Sequence, residues 1–222
     1  MMKISNDTRN VLKNFSTINS GIRVKSGNTL ETISNMKNIL AVATIDESFP
    51  QDFSIYNLNE FLGATSLLDD ADYQFNDSSL TVTDSNTSLS YFYASEGMVT
   101  APDKMITMPD SEIKIDISSS LLSELQKAAS VLGVNDLILK SDGTKITLEV
   151  TDKKNTTSNT FSRIVGEGNG VSYTMNFKIE NLKIIDGNYE VFVSSKGISN
   201  FKNKDFAVEY FIALEPDSNY NV

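Results

Sequence analysis

The sequence predicts an α+β protein made of two copies of one unit, with antiparallel sheets backed by helices. Three observations lead there. First, four segments recur in the same order, about 110 to 124 residues apart. Val11-Leu12-Lys13-Asn14-Phe15 is echoed by Leu121-Leu122-Ser123-Glu124-Leu125, and Lys25-Ser26-Gly27 by Lys140-Ser141-Asp142-Gly143. Phe53-Ser54-Ile55-Tyr56-Asn57-Leu58 returns as Phe177-Lys178-Ile179-Glu180-Asn181-Leu182, and Tyr91-Phe92-Tyr93-Ala94 as Tyr210-Phe211-Ile212-Ala213. Second, each half reads as helix, strands, short helix, strands, without the long crossover helices of a parallel sheet. Third, residues 97–109 carry Ala101-Pro102 and Met108-Pro109, where each proline keeps the preceding residue out of helix. That extended connector places the units at 1–108 and 109–222.

In the first unit, residues 5–18 read as a helix. Ser5 or Asn6 caps it, Asp7 suits its positive end, and Val11, Leu12, Phe15 and Ile18 form the buried stripe. Asn19-Ser20-Gly21 ends it. Strands follow at 22–25, 29–34, 39–45 and 53–56, by alternation and turn residues. Asn57, with Glu60 at the capping-box position, opens a second helix toward Leu68, which Asp69-Asp70 closes unfavourably for the dipole. A meander of 73–75, 79–83 and 88–94 completes the unit.

The second unit starts with a strand at 112–117. A helix capped by Ser118, Ser119 or Ser120 follows, carrying Leu121, Leu122, Leu125, Ala128, Ala129 and Leu132. Strands are expected at 136–140, 145–151, 157–165 and 172–179, and at most a short helix at 181–185. A hairpin of 187–195 with 206–214 ends the unit, and the tail 215–222 reads as partly exposed.

Composition excludes several classes. At 222 residues, 40% apolar and 22% charged, the chain suits a globular protein. No stretch nears the roughly 18 apolar residues of a membrane helix, and the polar start at Lys3 is not that of a signal peptide. Without cysteine there are no disulfides, thiolate nucleophiles or thiolate metal sites. Without histidine the commonest general base and metal ligand is missing, which points away from an enzyme. Asp69-Asp70-Asp72 lacks calcium-loop spacing, and residues 166–170 lack the Gly-Lys-Ser of a phosphate loop. No catalytic residue, metal or cofactor is expected. The net charge of −10 argues against unspecific attraction to nucleic acid by the chain as a whole.

Specific residues nonetheless resemble a family. Residues 12–22, Leu-Lys-Asn-Phe-Ser-Thr-Ile-Asn-Ser-Gly-Ile, are similar to the first helix and turn of the sliding clamps, or DNA polymerase processivity factors, of T4-like bacteriophages. Residues 55–63 resemble that family's second helix entry. Residues 66–71, residues 99–104 around Ala101-Pro102, Gly187-Asn188-Tyr189 and residues 213–218 match as well, in one order from end to end. The resemblance implies duplicated clamp domains, with antiparallel sheets outside and helices lining a ring of three subunits around double-stranded DNA. It implies tethering of the replicative DNA polymerase, placement by an ATP-dependent clamp loader, contact with late transcription factors, and work in the cytoplasm of an infected bacterial host. A membrane is not implied.

In such a ring only the inner face need be basic. The resemblance points to Lys3, Arg9, Lys13, Lys127, Lys178 and Lys183 as DNA-facing, with Glu124 weakening the field at Lys127. It also implies an apolar partner pocket near the end of the chain, for which Phe192, Phe206, Tyr210, Ile212 and Leu214 are the candidates. Subunits would join edge strand to edge strand, at Tyr73, Phe75 and residues 79–83 and at residues 161–165. The competing readings are a virion protein with duplicated β-rich domains, which predicts no basic helix face, and a carboxylate enzyme, which needs acids converging in a cleft.

Overall fold

The computed structural model describes residues 2–95 and 97–221, leaving Met1, Glu96 and Val222 outside the described residues. The chain splits into two compact units, Met1–Met105 and Ile106–Val222.

Helix α1, Asn6–Ile18, opens the first unit. Ser5 caps it, its hydroxyl accepting the Thr8 N–H at 3.2 Å, and Val11, Leu12, Phe15 and Ile18 are buried. Asn19 stops it by turning extended. Its side-chain N–H₂ donates to the carbonyls of Ile33 (3.0 Å) and Thr100 (2.8 Å), and its oxygen accepts the Gly21 N–H at 3.1 Å. Gly21 is required there, because a Cβ would lie 2.9 Å from the Ile55 carbonyl oxygen. Strand β1 (Ile22–Val24) pairs antiparallel with β4 (Phe53–Ile55), and β2 (Gly27–Ile33) with β3 (Ile39–Phe49). Helix α2, Leu58–Thr65, packs against α1. It stops before Leu68, and Leu67 is left exposed. Asp70 takes a positive φ of 47°, outside helical space, as the paired aspartates foreshadow. Strands β5 (Asp72–Phe75), β6 (Ser79–Thr83) and β7 (Ser88–Phe92) form an antiparallel meander with β6 in the middle.

In the second unit, β8 (Ile113–Ile117) leads into helix α3, Ser119–Leu132. Ser118 caps α3, and Gly133 ends it in the left-handed region at φ 66°. One sheet has the order β11-β10-β9-β12-β16, from Phe161–Glu167, Lys145–Thr151, Asp136–Asp142, Ser172–Lys178 and Asn219–Asn221. Its inner residues, among them Leu137, Leu139, Leu148, Val150, Met175 and Phe177, are buried, and α3 packs on β10 and β11. A 3-10 turn at Ile179–Asn181 leads on to β13 (Tyr189–Ser194), β14 (Ile198–Asn203) and β15 (Val208–Ala213). These pair in the order β8-β13-β14-β15, all antiparallel.

Two expectations are corrected. The final hairpin is a three-stranded meander, because β14 runs between β13 and β15. It is the counterpart of β6, so the repeat is more complete than the sequence reading allowed. The described part of the tail is partly exposed, as expected, and β16 within it pairs with β12 through Tyr220 opposite Tyr173, whose rings stack at 5.9 Å. The strand expected from residue 157 starts at Phe161, because Asp152 and Asn155 turn the chain through side-chain bonds to the N–H groups of Lys154 and Thr157.

Candidate nucleic-acid and partner surfaces

The two long helices are built alike. Each turns a buried stripe inward, Val11, Leu12 and Phe15 in α1 and Leu122, Leu125 and Ala129 in α3. On the opposite side α1 exposes Asn6, Asn10, Lys13 and Thr17, and α3 exposes Ser120, Ser123, Lys127 and Ser130. Lys13 and Lys127 thus stand in solvent at the middle of equivalent faces, and neither forms an ion pair among the described residues.

The other basic candidates sit differently. Arg9 is half-buried, donating from Nη2 to the Tyr73 hydroxyl at 2.7 Å with its guanidinium 5.9 Å from that ring's centre. It ties α1 to β5. Lys3 pairs with Asp70, and that hydrogen bond raises its pKa. Lys178 is held by Asp136, itself 2% exposed, at 2.5 Å, and this bond, more than the opposing burial, pushes its pKa up. Its ammonium anchors the end of β12 to the start of β9. Lys183 is exposed just beyond the 3-10 turn. Glu124 is engaged with Arg163 at 3.1 Å, which fastens α3 to β11. Glu47 holds the start of α1: burial opposes its ionisation, but bonds from the Thr8 hydroxyl and the Ser5 N–H outweigh that and lower its pKa.

The five partner candidates do not form one pocket. Tyr210 and Ile212 are fully buried on the inner face of the sheet, and Leu214 is 8% exposed. They are core. The Tyr210 hydroxyl accepts the Ile185 N–H at 3.1 Å, and burial raises its pKa. Phe192 lies on the other face, in register with Lys114 on β8 and Asn200 on β14, and Asn200 in turn with Phe211. Its ring is flanked by the ammonium groups of Lys114 (5.3 Å) and Lys202 (5.5 Å). Alternation along a strand separates Phe192 from Tyr210. Phe206 is 39% exposed at the β14–β15 turn. Phe192 and Phe206 are therefore the two of the five with surface to offer.

Sheet edges are also sorted by the pairing. β6 is central, so residues 79–83 provide no free edge, whereas Tyr73 and Phe75 lie on the edge strand β5, where Met2 bridges the Tyr73 backbone. Among the edge strands, β7 carries Phe92, 72% exposed, and β11 carries Ile164, 61% exposed. Beside β11 an apolar cleft of about 350 Å³ is lined by Ala128, Val131 and Leu132 of α3 and by Phe161. Sequence reasoning missed Phe92 and Val131; the i, i+4 spacing of Val131 from Lys127 was the available signal.

Comparison with known proteins defines the class. The fold matches that of proliferating cellular nuclear antigen from Entamoeba histolytica (TM-score 0.64, 17% identity, 93% of this chain and 94% of that one). It matches A. fulgidus PCNA bound to the C-terminal region of FEN-1 (TM-score 0.69, 14%, 95% and 96%) and the Helicobacter pylori beta clamp bound to DNA ligase peptide (TM-score 0.61, 18%, 100% and 68%). The fold is the DNA clamp fold. Residues 5–106 match the DNA polymerase processivity factor family and residues 114–216 the C-terminal domain of the gp45 sliding clamp. The sliding clamp of Vibrio phage KVP40 is 36% identical over 96% of this chain and 99% of its own length, and that of Enterobacteria phage T4 is 32% identical over 99% and 100%. The chain belongs to the phage sliding-clamp family, the processivity factors of DNA polymerase. The virion-protein alternative has no support among these relatives.

Proposed function

We propose that three copies of this chain close into a ring around double-stranded DNA and tether the replicative DNA polymerase to it. An ATP-dependent clamp loader opens and places the ring, and late transcription factors use it as a platform, in the cytoplasm of the infected bacterial host. The clamp itself catalyses no step and needs no metal or cofactor. The observation that carries this reading is the duplicated helix: each unit presents one solvated lysine on the face opposite its buried stripe. Two units per chain and three chains give six such helices.

Ring closure needs a surface on one unit that fits a different surface on the other, because head-to-tail contacts close only when the rotation does. The β7 and β11 edges, one in each unit, suit that task. Each carries an exposed apolar side chain, Phe92 or Ile164, and pairing would remove two unprotected edges. Phe192 and Phe206 are the side chains best placed for partner peptides. Sedimentation equilibrium tests the assembly: the reading expects three times 24.5 kDa, and a monomer or dimer at all concentrations would overturn it.

A further inference from the structure

Residues 215–221 lie along β12 as a strap. It begins with a tight turn, the Ser218 N–H donating to the Glu215 carbonyl at 3.0 Å, with Pro216 in the position of a β-turn that proline favours. Beyond the turn, β16 adds a short strand to the edge of β12, with Tyr220 opposite Tyr173 and Asn219 opposite Thr174. The Glu215 N–H donates to the Asn176 carbonyl at 2.8 Å, and the Asn176 N–H donates to Ser218 Oγ at 2.9 Å. Lys153 Nζ holds Asp217 at 2.7 Å, with Glu215 at 3.9 Å. The Tyr173 and Tyr220 ring planes are 16° apart.

The seat asks for more than the strap supplies. Tyr173 and Asn176 are 5% and 4% exposed, and both face the strap: Tyr173 stacks on Tyr220, and Asn176 Nδ2 donates to the Asp217 carbonyl at 3.2 Å. Yet the Tyr173 hydroxyl and Asn176 Oδ1 are buried without a partner. Buried polar groups are left so only at a cost, and the strap therefore fits its seat incompletely. The first unit, moreover, folds without such a strand. There the Ala94 N–H reaches the Ser54 carbonyl of β4 at 2.8 Å, and among the described residues β4 has β1 as its one partner strand. The strap is an addition to the repeat.

We propose that the strap is displaceable, and that the vacated edge of β12 is a docking site for an extended segment of a partner protein carrying an acidic residue and, three positions later, an aromatic one. Asp217 and Tyr220 have that spacing. The acid meets Lys153, the ring meets Tyr173, and the backbone continues the sheet by strand addition. A hydrogen-bond donor beside the aromatic residue completes the bonds that the strap leaves open. Phe192 and Phe206 lie on other elements, and docking at β12 does not require a closed ring.

Fluorescence anisotropy on the full chain, with a labelled peptide of residues 214–222, is the test. The strap competes from within the molecule, so apparent affinity falls with the fraction of open seats. Tyr220→Ala removes the stacked ring and should tighten peptide binding at least about fivefold over the natural protein. Thr174→Cys/Asn219→Cys sets two cysteines opposite each other in a chain that has no other cysteine. Oxidised, this variant should bind at least about tenfold more weakly than when reduced. An otherwise unrelated peptide that keeps the acid and the aromatic residue should bind within about threefold of the first, and the first with Tyr220→Ala at least about fivefold more weakly. Absence of binding to both Tyr220→Ala and the reduced pair, or equal binding in the oxidised and reduced states, would overturn the proposal. So would binding confined to the chain's own sequence, or a doubling of assembled mass with concentration that oxidation abolishes, since the occupant would then be the tail of a second copy.

Discussion

Replacing Lys178 by Gln separates a structural lysine from a DNA-facing one. Its ammonium lies 2.5 Å from Asp136, whose side chain is 3% exposed and whose other oxygen accepts the Lys153 N–H at 3.0 Å. Removing one partner of a fully buried pair costs about 3–5 kcal/mol, because the remaining charge is stranded. Lys178 is not fully buried, with 24% of its side chain exposed, and the Lys153 N–H still serves Asp136. The expected loss is therefore about 2–3 kcal/mol, at the low end of that range or below it. Denaturant unfolding with the slope held common to both proteins reads this directly. The pair also has a pH signature. The Asp136 carboxylate holds the folded-state pKa of Lys178 above that of an ordinary lysine, so its contribution is complete below the unfolded pKa and is lost as pH rises through the folded one. Natural protein should lose stability above about pH 10.5 by a step that the variant lacks. A stability change under about 0.5 kcal/mol, or impaired DNA retention at unchanged stability, would refute the structural assignment and return Lys178 to the DNA-facing set.

Three further outcomes are expected. Asn57→Ala removes the oxygen that accepts the Glu60 N–H at 3.2 Å, and should cost about 0.5–2 kcal/mol in thermal unfolding. Gly168→Ala would put a Cβ 2.5 Å from the Gly143 carbonyl; with backbone on both sides of the clash, a loss of about 1–3 kcal/mol should appear in denaturant titration. Phe92→Asp, at an exposed edge position, should shift sedimentation toward monomer while leaving the unfolding midpoint within experimental scatter.

Much of the fold was legible because the local signals agree. Ser5, Asn57 and Ser118 are side-chain caps where the sequence offers them, and the buried stripes of α1 and α3 follow helical spacing. Strand β14 was missed because its sequence lacks apolar alternation. Ser199 and Asn200 are fully buried; the Ser199 hydroxyl donates to the Ile212 carbonyl and the Asn200 side-chain N–H₂ to the Glu209 carboxylate, bonds that exist only once β15 is in place. Its counterpart β6, with Leu80 and Val82, reads plainly as a strand.

The site was less legible, for a related reason. Arg9 and Lys13 look equivalent on a helical wheel. Their fates diverge because Tyr73, 64 residues beyond Arg9, is brought beside one of them. Lys178 likewise meets Asp136 through strand register, 42 residues apart. For Phe192 and Tyr210, each strand's alternation was readable, but relating the two faces required the intervening β14.

Enclosure is the central claim, and topology tests it most directly. The assembled clamp, loaded on nicked circular duplex, is passed over a sizing column before and after the circle is cut once with a restriction enzyme. The account predicts that protein travels with the circle through physiological salt and is lost when the circle is linearised. Protein that stays on the linear product, or that never stays on the circle, would contradict it.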